Sequence, residues 1–265
     1  MKKKIITLTT DFGYDDAYVS SMKGIIKTIN PECEIIDITH SIKSCSIQSA
    51  NYILYSAYKY FPDGTIHIIV VDPGVGSERD AVIIKTKEYF FIAPNNGLLT
   101  FSLLESGKYK AYNIEKDFLK KFLKKKISNT FHGRDIFAPA AAMLSAGTKI
   151  NDIAEKIPSE KILFFKNCIS GHLQENIFKT EIIHIDKFGN LILNFRKKDF
   201  ENKKILNAKI KGKLITEITG NYESIKKVAM LYGSMDFLEI SVKRGSAADF
   251  FKSEIGDEVL IKFTN

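Results

Sequence analysis

The sequence predicts an α/β protein, with an N-terminal, largely parallel sheet sandwiched by helices and a smaller C-terminal antiparallel β domain. Three observations carry this. Strand-like and helix-like apolar patterns alternate over the first 165 or so residues, the connections between them are short, and helical periodicity fades after about residue 170. The expected domains are 1–165 and 171–265, with the boundary between Pro158 and Gly171.

Ile5 to Thr10 reads as a buried strand. Tyr18, Met22, Ile25, Ile26 and Ile29 then recur at helical spacing until Pro31 stops the run. Glu34 to Thr39 is a second strand. A second amphipathic helix follows, with Ile47, Ala50, Leu54, Ala57 and Phe61 on one face, and Pro62-Asp63-Gly64 breaks it. Thr65 to Asp72 is a third, strongly β-branched strand. An Ala-rich helix spans Ala138 to Ala146. In the second half, strands are expected at Thr180 to Asp186, Leu191 to Phe195, Leu206 to Ile218, Val228 to Tyr232, Phe237 to Val242 and Glu258 to Phe263.

Hydrophobic content of 45% and charged content of 26% exclude a disordered chain. No apolar run approaches the roughly 18 residues of a membrane span. Asp11 ends the first apolar run too early for the core of a secretory signal, so a cytoplasmic protein without a membrane partner is expected. Cys33, Cys45 and Cys168 form an odd set without CxxC spacing, which disfavours both a disulfide framework and a cysteine zinc site. The net charge is +8, yet only four of the 39 basic residues are arginines, and the densest lysine run, Lys120 to Lys126, has the spacing of a solvated helix face. Nucleic-acid surfaces set arginine beside aromatics, so no nucleic-acid partner is expected.

In open α/β sheets ligands bind beyond the carboxyl ends of the strands. An acid stands near each such end here: Asp11, the Asp37 to His40 segment, and Asp72. In Asp72-Pro73-Gly74-Val75-Gly76-Ser77-Glu78-Arg79 the glycines permit a tight turn, but the Gly-Lys-Ser/Thr ending of a P-loop is missing. Asp72 and Arg79 either brace this loop as an ion pair or jointly fix a small polar molecule. His132-Gly133-Arg134-Asp135 opens the Ala-rich helix, with Asp135 a possible cap, Arg134 a possible brace and His132 either structural or presented to a cleft. His40, His67, His132, His172 and His184 show no metal-ligand spacing, which leaves Asp11, Asp15, Asp16 and Asp72 as the alternative set for a hard cation. Asp186-Lys187-Phe188-Gly189-Asn190 is either a hairpin turn, with Gly189-Asn190 at positive φ, or a base-reading loop in which the Asn190 carboxamide donates and accepts at once.

Six segments in register, spread over nearly the whole chain, resemble one family. They are Thr10-Asp11-Phe12-Gly13 with Asp16, Tyr18 and Met22-Lys23-Gly24; Asp72-Pro73-Gly74-Val75-Gly76 with Arg79; Ala93-Pro94-Asn95-Asn96-Gly97; Thr130 to Asp135; Asp186 to Asn190; and Ser234, Leu238-Glu239-Ile240 and Gly245-Ser246-Ala247-Ala248. The chain is similar to the adenosine-forming S-adenosyl-L-methionine (SAM) hydrolases, or SAM hydroxide adenosyltransferases, relatives of the fluorinases and chlorinases. The resemblance implies a homotrimer with active sites between one subunit's first domain and a neighbour's second, no cofactor and no metal. It implies that Asp72, Arg79 and His132 hold and activate water, and that Asp11 binds the ribose hydroxyls beside Tyr18. Asn190 would read adenine, helped by backbone near Arg244. Asp16, Asp186 and Ser234 would hold the methionine end, with Glu239 near its ammonium. After Ser234 the halogenases carry arginine where this chain has Met235, so Lys243 or Arg244 is the expected substitute for the carboxylate.

Asp72 stands where the halogenase pattern has an uncharged tyrosine. A carboxylate there would repel halide and accept a hydrogen bond from water, which favours hydrolysis. His132 is expected to be the group of the three that exchanges a proton near neutrality. A halide-dependent halogenase, a divalent-metal hydrolase and a non-catalytic SAM or adenosine binder are the alternatives.

Overall fold

The computed structural model describes residues 4–124, 126–165, 173–174, 176–200 and 203–264. Cys168, His172, Lys125 and the Lys166–Gly171 part of the expected boundary lie outside the described residues. The chain divides into two compact units, Met1–Phe165 and Lys166–Asn265.

The first unit runs β1 (Ile5–Thr10), α1 (Tyr18–Ile29), β2 (Glu34–Thr39), α2 (Ile47–Ala57), β3 (Ile66–Val70), β4 (Ala81–Lys85), β5 (Phe90–Pro94), α3 (Thr100–Ser106), β6 (Lys110–Ile114), α4 (Lys116–Leu123), α5 (Ala138–Ser145), α6 (Ile150–Ile153) and β7 (Ala154–Ile157). Its strands lie in the order β2-β1-β3-β5-β4-β6-β7. β2, β1, β3 and β5 are mutually parallel, β4 and β7 run against them, and β6 runs with them, so the sheet is mostly parallel.

The two-residue period of the strands sorts side chains between the faces. Ile6, Leu8, Ile66, Ile68 and Val70 pack with Met22 and Ile26 of α1 and the alanines of α5. Ala138, Ala140, Ala141 and Ala142 are fully buried, which lets α5 approach the sheet closely. Thr7 and His67 point to the opposite face, where Tyr58, Tyr89 and Phe91 surround the His67 ring and Tyr55 of α2 meets Phe101 of α3. Helices therefore cover both faces, as the sequence predicts.

Tyr18 departs from its expected place in the apolar stripe of α1. It is 46% exposed and joins Phe12 and Phe131 in an aromatic cluster, while Val19 takes the buried position. The lysine run is not one helix face either, because Lys124 has φ 50° and caps α4 after Leu123.

The second unit contains β8 (Leu173–Gln174), β9 (Ile177–Ile185), β10 (Leu191–Arg196), β11 (Ile205–Ile210), β12 (Lys213–Ile215), β13 (Val228–Tyr232), β14 (Phe237–Val242), α7 (Ala247–Phe251) and β15 (Glu258–Phe263). The order is β12-β11-β15-β9-β10-β14-β13, with β8 beside β9, and every pairing between these strands is antiparallel. Phe178, Leu193, Phe195, Met230, Leu238, Ile240 and Ile261 form its core. The segment expected as one strand from Leu206 to Ile218 is instead a hairpin. Lys211 and Gly212 have φ 45° and 78°, and a two-residue hairpin turn of type I′ needs that sign at both central residues.

Burial pushes the pKa of His67 down to about 3 and that of His184 down to about 4. Both bind protons more readily unfolded, near 6.5, than folded. Their contribution to stability is complete above pH 6.5 and is lost progressively as pH falls towards 3. Urea midpoints should fall between pH 6.5 and pH 4, with a shallower slope for His67→Phe, and a flat wild-type profile would contradict this.

Candidate active site

β1 and β3 are neighbours in register, Thr10 opposite Val70, so their following residues reach the same rim. A cavity of about 280 Å³ opens there, lined by Asp11, Phe12, Tyr18, Ser44, Cys45, Asp72, Val75, Phe131 and His132, among others. Asp11 accepts the Cys45 N–H on Oδ2 at 2.8 Å, which leaves Oδ1 for a ligand.

Asp72 and Arg79 form a two-pronged pair: Nε donates to Oδ1 at 2.7 Å and Nη2 to Oδ2. Their side chains are only 5% and 11% exposed. Arg79 Nη1 donates to the Asp80 carbonyl at 3.0 Å, and the Phe137 ring lies 5.5 Å from the guanidinium carbon. Arg79 Nη2 also stands 3.3 Å from His132 Nδ1. A guanidinium only donates, so Nδ1 must accept, and the imidazole proton belongs on Nε2. Burial first, and the Arg79 charge second, hold the His132 pKa below its usual 6.5. His132 is thus neutral at pH 7 and offers an N–H donor. This revises the expected role of a proton-exchanging histidine, because its lone pair faces Arg79.

The loop holding this pair depends on Gly76, with φ 84°, where a Cβ would strike the Asn129 carbonyl. His132 precedes a π turn over Gly133–Phe137, in which the Ala138 N–H reaches back to Gly133 O. Pro139 explains the wide turn: it has no N–H, and its ring crowds the carbonyl four residues back, which displaces the ladder. Asp135 does not cap α5. It accepts the Ser128 N–H at 2.8 Å and two bonds from Arg134 at 2.7 and 2.8 Å, so this pair braces the loop.

In the second unit a cavity of about 640 Å³ is lined by Asp186, Phe188, Asn190, Tyr222, Val242, Arg244, Gly245 and Ser246. Asp186 Oδ1 accepts the N–H groups of Phe188 and Asn190, and Oδ2 accepts Asn190 Nδ2 at 2.8 Å. The Asn190 amide is thereby oriented, and among the described residues its carbonyl and one N–H have no other partner, the acceptor and donor pair an adenine edge requires. Gly189 alone supplies the positive φ, 81°, of this turn, and a Cβ there would collide with the Ser246 backbone.

Glu239 is buried, accepts Tyr222 Oη at 2.6 Å, and is pushed above the usual carboxylate range chiefly by burial. It does not line the cavity, whereas Tyr222 does. Asp16 and Ser234 sit on exposed turns outside both cavities. Lys243 is bonded to the Glu223 carbonyl at 2.5 Å, while Arg244, at φ 51°, has no side-chain partner among the described residues. Among the described residues no cluster of three or more His, Cys, Asp or Glu could hold a metal ion. No helix there is long and apolar enough to cross a membrane.

Several contributors carry no signal in spacing. The Asn96 side chain donates to the Val71 carbonyl at 2.9 Å and so pins the backbone next to Asp72, and the Cys45 amide orients Asp11. The turn-like composition of Pro94-Asn95-Asn96-Gly97 marks such a site only once the sheet order is known.

This α/β unit with its Asp-Arg-His cavity, and the β unit with its amide-bearing cavity, match the two domain models of one family. Residues 6–154 match the SAM hydroxide adenosyltransferase N-terminal domain and residues 180–260 its C-terminal domain, and the chain belongs to that family. It is 33% identical over 273 residues, 97% of this chain and 95% of the relative, to an (R)-S-adenosyl-L-methionine hydrolase of Methanocaldococcus jannaschii. A protein of the same name from Thermus thermophilus is 30% identical over 91% of this chain and 92% of its own length. A fluorinase of an Actinoplanes species is 26% identical over 74% of the chain and 73% of its own length. A solved structure from Thermotoga maritima, described as an uncharacterized conserved protein, superposes with a TM-score of 0.85 at 33% identity, covering 97% of this chain and 99% of that one.

Proposed function

We propose that the protein hydrolyses S-adenosyl-L-methionine to adenosine and L-methionine, with water attacking C5′ opposite the departing sulfur. The observation that carries this is the buried Asp72–Arg79 pair with neutral His132 on its guanidinium, at the cavity that also holds Asp11. The C5′–S bond breaks with its electron pair going to sulfur, which leaves as a neutral thioether and needs no acid. The C5′–O bond forms, and the proton the water loses passes to Asp72, its hydrogen-bond acceptor, and from there to solvent.

Water's pKa of about 15.7 makes full deprotonation before attack implausible, so proton loss accompanies C–O bond formation. His132 Nε2–H orients the water through its oxygen, and Asp72 accepts a hydrogen bond with a lone pair not engaged by Arg79. Arg79 holds that carboxylate and stabilises developing hydroxide-like charge. The same carboxylate repels fluoride or chloride, which favours hydrolysis over halogenation.

Asp11 is assigned the ribose hydroxyls, with Tyr18 as wall, and Asn190 the adenine edge, with the Arg244 backbone alongside. Asp186, Asp16 and Ser234 serve the methionine end by the family correspondence, Glu239 adds negative charge near its ammonium, and Arg244, without a side-chain partner among the described residues, is the cation assigned to the carboxylate. A cytoplasmic homotrimer, with active sites completed between subunits, follows from the same correspondence. Light scattering checks its mass.

The test is a product analysis of purified protein with each sulfonium epimer of SAM, since the relatives' names specify the R form. Equimolar adenosine and methionine, unaffected by chloride, are expected. A chloride-dependent 5′-chloro-5′-deoxyadenosine would establish a halogenase, and binding without turnover a regulator.

A further inference from the structure

His40, at the end of β2, is completely buried, yet both ring nitrogens face polar groups. Nδ1 is 2.7 Å from Thr10 Oγ1 and Nε2 is 3.2 Å from Asp37 Oδ1. The Nε2–Oδ1 approach is off the hydrogen-bonding line, and neither atom has another polar partner among the described residues. A carboxylate oxygen tolerates an imidazole nitrogen there only if that nitrogen carries its proton. Nδ1 is then the acceptor, and the Thr10 hydroxyl donates to it.

That leaves the Thr10 oxygen to accept the Phe12 N–H, at 3.2 Å. At the far end, Lys23 and Tyr14 donate to Asp37 Oδ2 at 2.6 and 3.2 Å. Burial pushes the Asp37 carboxyl up, but Lys23 and His40 outweigh this and keep it below the usual range, so it stays charged. The His40 carbonyl accepts the Gly13 N–H at 2.8 Å. Both backbone amides following Asp11 are therefore tied to His40, one directly and one through Thr10.

We propose that His40 is a positioning residue for Asp11, fixing the loop that presents this carboxylate to the ribose hydroxyls of the substrate. The inference rests on the nucleoside-binding reading above. A buried histidine that merely fills space would affect every ligand of the cavity alike, whereas a positioning role is felt only by ligands with ribose hydroxyls.

The experiment compares affinities for adenosine and 2′,3′-dideoxyadenosine by calorimetry, with circular dichroism confirming the fold. In His40→Gln, whose amide falls at Nε2 and abandons Thr10, adenosine affinity should drop about tenfold while dideoxyadenosine stays within about twofold. His40→Asn, which restores an acceptor near Nδ1, should recover most of the loss. If His40→Gln does not fold, Thr10→Val against Thr10→Ser makes the same comparison, with loss expected only for valine. Equal losses for both ligands, no loss for either, or a wild type indifferent to the ribose hydroxyls would overturn the inference. Wild-type protein that binds adenosine with this preference but releases none from SAM would overturn only the hydrolase reading.

Discussion

Asp72→Ala is expected to lower kcat by about 10²–10⁴-fold while KM for SAM stays within a few-fold. The carboxylate acts on the water and on Arg79, not on adenine or methionine, so its loss falls on the transition state. The same change strands a guanidinium only 11% exposed, whose two-pronged partner is gone. Breaking a buried pair from one side costs about 3–5 kcal/mol, so a lower melting temperature should accompany the kinetic defect. Asp72→Asn separates the two effects, because its amide oxygen still accepts one bond from Arg79 but offers water no charge. It should melt closer to wild type and remain nearly as slow as the alanine variant. Near-wild-type turnover in either variant would remove Asp72 from the chemistry.

The second large effect concerns His132. Neutral imidazole is the active form, and burial together with Arg79 holds its pKa below 6.5. kcat/KM should be level near neutrality and fall as pH drops through that depressed value, where protonation sets a cation against Arg79. His132→Ala should lose about 10²-fold in kcat. His132→Gln keeps a donor near the position of Nε2 and cannot titrate, so it should stay within about tenfold of wild type and lose the acid limb. A glutamine variant as impaired as alanine would show that the histidine must take a proton, contrary to the tautomer imposed by Arg79.

The alternation of strand and helix, and the acids at strand ends, were legible because both follow from local patterns. Ile5 to Thr10 reads correctly because a buried parallel strand is a nearly continuous apolar run, and Glu34 to Thr39, a half-buried edge strand, reads through its β-branched Ile35, Ile36, Ile38 and Thr39. The strand expected across Leu206 to Ile218 failed because Lys211-Gly212 specifies a turn through backbone sign, which hydrophobic alternation does not register. Tyr18 has the spacing of the apolar stripe, yet its ring faces a cavity rather than the sheet.

The candidate site was legible only in pieces. Asp72 and Arg79 are seven residues apart and could be suspected as a pair, but His132 lies 53 positions beyond Arg79, and only the sheet order brings it there. Its tautomer depends on a guanidinium neighbour and is invisible to spacing. The resemblance gives Asp186 to the methionine end, yet Asp186 also organises its own turn and orients Asn190, a role that local hydrogen bonding reveals. In the sequence His40 stands out only in the acidic rim and as one of five histidines without metal-ligand spacing, since its link to Asp11 runs through Thr10 and two backbone amides.

The central claim, water delivered to C5′ beside Asp72, Arg79 and His132, is tested most directly by turnover of SAM in ¹⁸O-labelled water with mass analysis of the products. One heavy oxygen on the 5′ position of adenosine, beside unlabelled methionine, is the predicted result. Label in homoserine accompanied by methylthioadenosine would place the attack on the methionine side of the sulfur and contradict it.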